Sequence, residues 1–378
     1  MLYALLILST LAIVSLAYRT LTTLRHYKIV DISSESPLPE MPTVSVCIAV
    51  RNETHALAQC LERVLASDYA KLEVLVLDDS SDDGTSLIIK SFANAGVRFV
   101  PGKELPDGWL GKNHAYQTLI DEASGDVLLF IDVDTSIKPT TISQLVSLLV
   151  DSDVQMLSVL PRRDDGYRLS AIFGTMRYYW ELLLGSNSSP PAASALWMVD
   201  AETLKTDGIG LANYGLSVRP ERHMARQLTA RNGYRYFIGT EKLGVSYEKH
   251  LHSQHETALR LYYPMTGRKL MNWLACSVYL SLLVAPLVII LSIQWDNLIL
   301  TWSLLLVITV SATFGLFVRR TYSHLAWQLR IPLGPLLILQ ELGLLLISYV
   351  RYRRGTVTWK GRSIQAQPDR HDALKMSD

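Results

Sequence analysis

Residues 126–134 read DVLLFIDVD, and they decide how this chain folds. Val127 to Ile131 are apolar at five successive positions, and the run then ends in the carboxylates of Asp132 and Asp134. A strand that is apolar on both faces belongs to a sheet covered on both sides, because every side chain needs a dry partner. Similar runs lie on either side of it: VSVCIAV (44–50), LEVLVLDD (72–79), VRFV (97–100) and VQMLSVL (154–160). Segments of helical period separate them, at 54–67, 85–96, 112–124 and 140–150. In the first, Ala56, Leu57, Cys60, Leu61, Val64 and Leu65 share one face. Strands alternating with helices predict an α/β fold over about residues 40–265, Rossmann-like, with a mostly parallel sheet and helices on both faces.

Ligands of such sheets bind beyond the carboxyl ends of the strands. Arg51–Asn52–Glu53, Asp78–Asp79–Ser80 and Asp132–Val133–Asp134 stand at three of those ends. Any one of them is ordinary turn chemistry; three on one rim predict a site. Two carboxylates held close together repel unless a cation neutralises them. Hard cations such as Mg²⁺ or Mn²⁺ take oxygen ligands and leave positions for substrate phosphates. The acidic loop 78–84 is no EF-hand, since Lys90 occupies the position where the bidentate Glu would stand.

The chain has 378 residues, 49% hydrophobic and 19% charged, with 36 Lys+Arg against 35 Asp+Glu. That balance excludes disorder and lacks the basic excess of a dedicated nucleic-acid binder. The three cysteines have no CxxC spacing and form no disulfide framework. A mean hydropathy of +0.18 is concentrated in a few stretches. Residues 2–17 are apolar and are followed by Arg19, Arg25, His26 and Lys28, the reverse of a cleaved signal peptide. They predict an anchor over 1–25 with the chain cytoplasmic beyond it. Two further spans are expected at 271–294 and 298–318, joined by a turn at Trp295–Asp296–Asn297. Within the C-terminal membrane region 270–350, the last stretch, 333–350, carries Gln340 and Glu341 and has arginines on both flanks. It is a third span or a re-entrant hairpin, and the hairpin keeps both basic flanks, including the tail 351–378, on one side.

Together these residues resemble the membrane-bound family 2 glycosyltransferases of GT-A fold, over about Pro42 to Tyr236. The resemblance implies that Arg51, Asn52, Glu53, Asp79, Lys112 and Asp132 bind a nucleotide sugar, Asp79 contacting the base. It also implies that Asp132 and Asp134 hold Mg²⁺ or Mn²⁺. Gly108–Trp109–Leu110–Gly111–Lys112 is similar to a segment of members that glycosylate ceramide, hopanoid or carotenoid lipids, with Lys112 facing the diphosphate. Thr358–Trp359–Lys360–Gly361–Arg362 resembles a C-terminal motif of the same group, which makes Trp359, Lys360 and Arg362 candidates for an active-site tail.

The acidic pair that supplies the catalytic base in this family is altered. Counted back from Gly233–Tyr234–Arg235, its Asp position falls on Arg222 in one register and on Glu221 in the other. An arginine cannot act as the base, so Glu221 is the candidate, with a helix-start carboxylate as the competing role. The Gln-x-x-Arg-Trp motif of processive synthases is not evident, which points to transfer of one sugar. His250, His252 and His255 lack a His-Glu-x-x-His spacing and read as a solvated or membrane-proximal segment. Residues 168–184 read as a core helix, or as an aromatic-rich surface at the lipid interface. The expectation is a multi-pass enzyme of the inner (plasma) membrane with a cytoplasmic catalytic domain. It would move one sugar, UDP-glucose being the expected donor, to a hydroxyl of a carotenoid, hopanoid or sphingolipid. The alternatives are transfer to a polyprenyl phosphate, or a catalytically impaired scaffold subunit.

Overall fold

The computed structural model describes residues 2–27, 41–164, 168–186, 189–205, 209–292, 296–322, 328, 330–359 and 362–364. Lys360, Trp295 and the tail from 365 lie outside the described residues. The chain forms two compact units. Met1–Lys28, Arg163–Leu184 and Lys249–Gln365 make one; Ile29–Arg162 and Gly185–Glu248 make the other.

The second unit is the α/β one. Its strands are β1 (Val44–Val50), β2 (Leu72–Asp78), β3 (Val97–Pro101), β4 (Val127–Ile131), β6 (Met156–Leu160), β8 (Leu196–Asp200) and β9 (Tyr234–Ile238). They form one sheet in the order β3-β2-β1-β4-β8-β6-β9. The pairs β2–β3, β1–β2, β1–β4 and β6–β9 are parallel. All five strands expected from the sequence form. The antiparallel β8, read from LWMVD, was not anticipated; it separates β4 from β6 and pairs with both. Trp197 on β8 stacks on Phe130 of β4, centroids 3.9 Å apart. The faces of the sheet are dry: Val46, Ile48, Leu129 and Leu157 have no exposed surface, and burying each such side chain contributes about 1.5–3 kcal/mol.

Helices α2 (Leu57–Leu65), α3 (Thr85–Ser91), α4 (Gly111–Glu122) and α5 (Thr141–Asp151) follow β1, β2, β3 and β4. The expected 85–96 helix stops early, in a 3-10 turn that ends at left-handed Gly96. A small sheet has β10 (Ser246–Tyr247) as its middle strand, between β5 (Thr135–Ser136) and β7 (Arg162–Arg163). Because Val50 is in register with Asp78 and Cys47 with Phe130, the carboxyl ends of β1, β2 and β4 lie along one edge.

The other unit holds four helices long and apolar enough to cross a membrane: α1 (Leu2–His26), α11 (Leu270–Leu291), α12 (Asn297–Thr321) and α13 (Gly334–Arg353). Tyr3 donates to Asp296 at 2.9 Å, and Arg320 donates to the carbonyls of Leu24 and Tyr27. Thus α1 and α12 run parallel, with Arg25, Arg319 and Arg320 at one end. Asp296 also caps α12, accepting from the Ile299 amide at 2.7 Å.

The 333–350 stretch builds no hairpin. It is one unbroken helix, and Pro335 starts it rather than breaking it, because proline suits the first helical turn. Its first residue, Gly334, packs on Ser311 in the second half of α12. Its later turns meet the start of α11, where Trp273 donates to the Leu345 carbonyl and stacks on Tyr349. The helix therefore runs obliquely toward the basic end, and Arg351 and Arg353 emerge on the same side of this unit as Arg319 and Arg320.

The costly polar residues of that helix are satisfied. Gln340 donates to the Phe173 carbonyl at 3.1 Å. Glu341, 1% exposed, accepts from the Met176 amide at 2.9 Å, from Trp180 Nε1 at 3.0 Å and from the Tyr262 hydroxyl. Residues 168–184 are accordingly not one core helix. They form α6 (Leu169–Ile172) and α7 (Arg177–Leu183), and the break between them is held by buried Arg330, which donates to the Ala171 and Gly174 carbonyls. Glu341→Ala would leave the buried Met176 amide and Tyr262 hydroxyl without this acceptor, at about 1–3 kcal/mol each, and the part-buried Trp180 Nε1–H as well. The detergent-solubilised variant is expected to melt well below the parent, with Glu341→Gln in between; an unchanged midpoint would contradict this role.

Candidate active site

The loops after β1 and β2 are laced together. Arg51 donates to the Asp79 carbonyl at 2.6 Å, and the Asn52 amide to Ser81 Oγ at 2.9 Å. Asn52 Oδ1 accepts from the Asp82 amide, and the Glu53 amide donates to Thr85 Oγ1, both at 3.0 Å. Asn52 and Ser80 adopt φ of 54° and 57°, a left-handed conformation that asparagine tolerates and that serine adopts at a cost of about 1–3 kcal/mol. Asp78 and Asp79 divide the work. The Asp78 carboxylate accepts from the Ser81 amide at 3.0 Å and from the Ser81 and Ser86 hydroxyls, so it shapes the loop. Asp79 follows it at the rim.

Gly102 abuts this loop, donating to the Asp78 carbonyl at 2.9 Å. A Cβ there would sit 2.5 Å from that oxygen and 3.1 Å from the Asp79 Cα. Gly102→Ala is expected to cost about 1–3 kcal/mol by overpacking and to weaken nucleotide binding, as thermal unfolding and nucleotide titration would register. Unchanged binding would mean that Asp79 tolerates displacement.

Asp132 and Asp134 occupy the turn between β4 and β5. Lys112, in the first turn of α4, donates to Asp132 Oδ1 at 2.6 Å, each side chain 26% exposed. One turn on, Tyr116 donates to the same oxygen at 3.4 Å. Burial first, and then the charges of Asp132 and Glu221, hold the Tyr116 hydroxyl well above its usual range, so it remains a proton donor. Burial and then the carboxylates of Asp134, Asp132 and Glu53, opposed by Arg63, push the Cys60 thiol up to about 12.

Glu221 is 4% exposed, in the first turn of α9 (Pro220–Thr229). Buried Arg219 lies 3.5 Å from it and donates to the Ala192 carbonyl at 2.8 Å. Arg222, the rival position, turns to Ser189. The loop before α9 is set by Asn113, whose Nδ2 donates to the carbonyls of Tyr214, Gly215 and Ser217.

The rim therefore gathers Arg51, Asn52, Glu53, Asp79, Lys112, Asp132 and Asp134, and Glu221 lies within electrostatic range of Tyr116. Sequence reasoning missed Tyr116, Asn113 and Arg219. The four-residue spacing of Lys112 and Tyr116 on one helix face was the available signal for the first. Trp359 belongs to the other unit, its ring 5.4 Å from the Arg260 guanidinium. Gln254 is committed there too, donating to the Ser170 and Lys249 carbonyls.

The donor set suits a hard divalent cation, since Asp132 and Asp134 offer carboxylate oxygens only. Among the described residues no three His, Cys, Asp or Glu side chains converge as ligands. A cation held here would share its coordination with substrate oxygens.

A parallel-stranded core interrupted by one antiparallel strand, with an Asp-x-Asp at the edge of its fourth strand, is the GT-A glycosyltransferase fold. Residues 45–182 match the model for Glycosyl transferase family 2, so the chain carries a family 2 glycosyltransferase domain. Glycosyltransferase AglE of Haloferax volcanii is 33% identical over 121 residues, 31% of this chain and 38% of that protein. An N-acetylglucosaminyltransferase of Bradyrhizobium elkanii is 34% identical over 119 residues, 30% of this chain and 63% of that protein. The chain thus spans less than two thirds of these relatives. Mannosyltransferase PcManGT from Pyrobaculum calidifontis, solved with GDP-Man and Mn²⁺, shares the fold at TM-score 0.55 and 19% identity, over 93% of this chain and 98% of that one.

Proposed function

We propose that this protein is a membrane-bound inverting glycosyltransferase that moves one sugar from a nucleoside-diphosphate sugar, with UDP-glucose as the favoured donor, to a hydroxyl of a lipid. The observation that carries the reading is the Lys112–Asp132–Tyr116 cluster beside Asp134, at the edge where the Arg51 and Asp79 loops end. Asp79 and Arg51 are suited to the nucleoside and Lys112 to the diphosphate. Mg²⁺ or Mn²⁺ on Asp132 and Asp134 would supply positive charge to the departing diphosphate.

The acceptor oxygen attacks the anomeric carbon as Glu221 takes its proton. The bond from that carbon to the diphosphate breaks, its electron pair leaves with the diphosphate, and the configuration inverts. Lys112 and the Tyr116 hydroxyl stabilise the charge that develops. Four apolar helices support a lipid acceptor such as a carotenoid, hopanoid or sphingolipid, and a catalytic unit on the basic, cytoplasmic side of the inner membrane. The candidate tail residues Trp359, Lys360 and Arg362 would serve the reaction from that same side.

A second reading has its own support. The Arg219 guanidinium, 3.5 Å from Glu221, competes with an acceptor proton for its carboxylate, and a polyprenyl phosphate needs no base because it is already ionised. Incubating the purified full-length protein with UDP-glucose, Mn²⁺ and membrane lipid extract should release UDP and form a glycolipid. No UDP release from any nucleotide sugar would favour a scaffold role instead.

A further inference from the structure

The unit that holds the four apolar helices carries a partly open cavity of ≈ 330 Å³, within the range of roughly 300–1,000 Å³ typical of small-molecule sites. Leu16 on α1, Leu183 on α7, Leu280 on α11 and Leu345 on α13 line it, and Tyr262 on α10 (Leu251–Met265) and Glu341 are among the polar residues of its wall. We propose that this cavity binds the hydrocarbon chain of the acceptor lipid, an inference that rests on reading the acceptor as a lipid.

Three observations commit the site to that occupant. The Glu341 carboxylate is already taken up by Met176, Trp180 and Tyr262. That part of the wall therefore presents a carboxylate whose oxygens are already hydrogen-bonded, beside aliphatic carbon, and leaves Arg19 as the charged group that an amphiphile's head can meet. The volume is too small for a partner helix, which needs a channel about 10–12 Å across. Arg19 stands on the same wall, one turn from Leu16, so a single guanidinium meets the polar head of an amphiphile whose chain lies among the leucines. The mostly apolar lining favours an apolar chain over a polar ligand.

Cys276 also lines the cavity, while Cys47 and Cys60 are buried in the other unit. The test uses a sixteen-carbon fatty alcohol bearing a chain diazirine, photolysed with the full-length protein in detergent and mapped by mass spectrometry. Adducts should concentrate on Leu16, Cys276 and Leu280 rather than on the exposed Leu11, Val14 and Val288. The neutral hydroxylated fraction of a membrane lipid extract should compete with this labelling, and dioleoyl phosphatidylcholine should not. Leu280→Trp fills the space and should reduce cavity labelling about tenfold, equivalent to ~1.4 kcal/mol of binding. Leu11→Trp on the outer face should leave it unchanged. Ala275→Phe is the second filling variant should Leu280→Trp not fold, as judged by its unfolding midpoint.

Even labelling of the outer faces, equal competition by phosphatidylcholine, or full labelling of folded filling variants would each overturn the proposal. Loss of the catalytic reading looks different. A protein that releases no UDP but is labelled and competed in this pattern retains the chain site without the reaction.

Discussion

Asp134→Ala is expected to lower sugar transfer by about 10²–10³-fold, the usual scale for removing one group that stabilises developing charge. Asp134 lies in a turn that β4 and β5 hold in place, and its main chain is engaged at both ends: the Thr135 amide donates to the Asp132 carbonyl at 2.9 Å, and the Glu248 amide to the Asp134 carbonyl at 3.2 Å. The variant should therefore fold as the parent does, and the loss should fall on chemistry. Asp132→Asn acts differently, because it also weakens the 2.6 Å contact to Lys112. Both variants should shift the Mn²⁺ concentration for half-maximal rate upward, and chelation should reduce the parent to the level of the variants. A parent that keeps its full rate in excess chelator would remove the metal from the proposal. An Asp134→Ala protein with parental kcat would remove the rim itself.

Glu221→Gln is the second large effect, and it separates the two acceptor chemistries. With a hydroxyl acceptor the loss of a general base should cost about 10²–10⁴-fold in kcat, while UDP binding stays intact because Glu221 is not among the nucleotide-facing residues. With a polyprenyl phosphate the variant should retain most of its rate, since no proton has to be removed. Because the side chain is 4% exposed and faces Arg219, stability must be measured alongside. Removing one partner of a buried pair is strongly destabilising, but glutamine keeps an oxygen for the guanidinium. A folded Glu221→Gln enzyme with full activity on a hydroxyl lipid would eliminate Glu221 as base.

Much of the rim was legible because it depends on local properties. A run such as VLLFI states its own burial on both faces, and a polar cluster directly after such a run must fall at a strand end. Asp79, Asp132 and Asp134 were therefore placed at strand ends without coordinates, whereas Lys112 was singled out only by the resemblance of its Gly-Trp-Leu-Gly-Lys segment. Glu221 was harder, since the choice between it and Arg222 depends on which way the first turn of α9 faces. Pro220 at the helix start and the opposite engagements of Arg219 and Arg222 decide that orientation.

By itself the sequence determined the alternation of strands and helices, the chemistry at three strand ends and the four apolar segments. These follow from period, residue type and flanking charge over short windows. The tertiary structure alone decided what depends on residues far apart in the chain. Asn113 meets Tyr214 across 101 positions, and Glu341 meets Met176 across 165. The first contact shapes the loop that leads to Glu221. The second makes a buried carboxylate tolerable, keeps α13 a single helix and forms one corner of the cavity. No local pattern encodes such contacts, because a buried polar group is stable only when the completed fold supplies its partners.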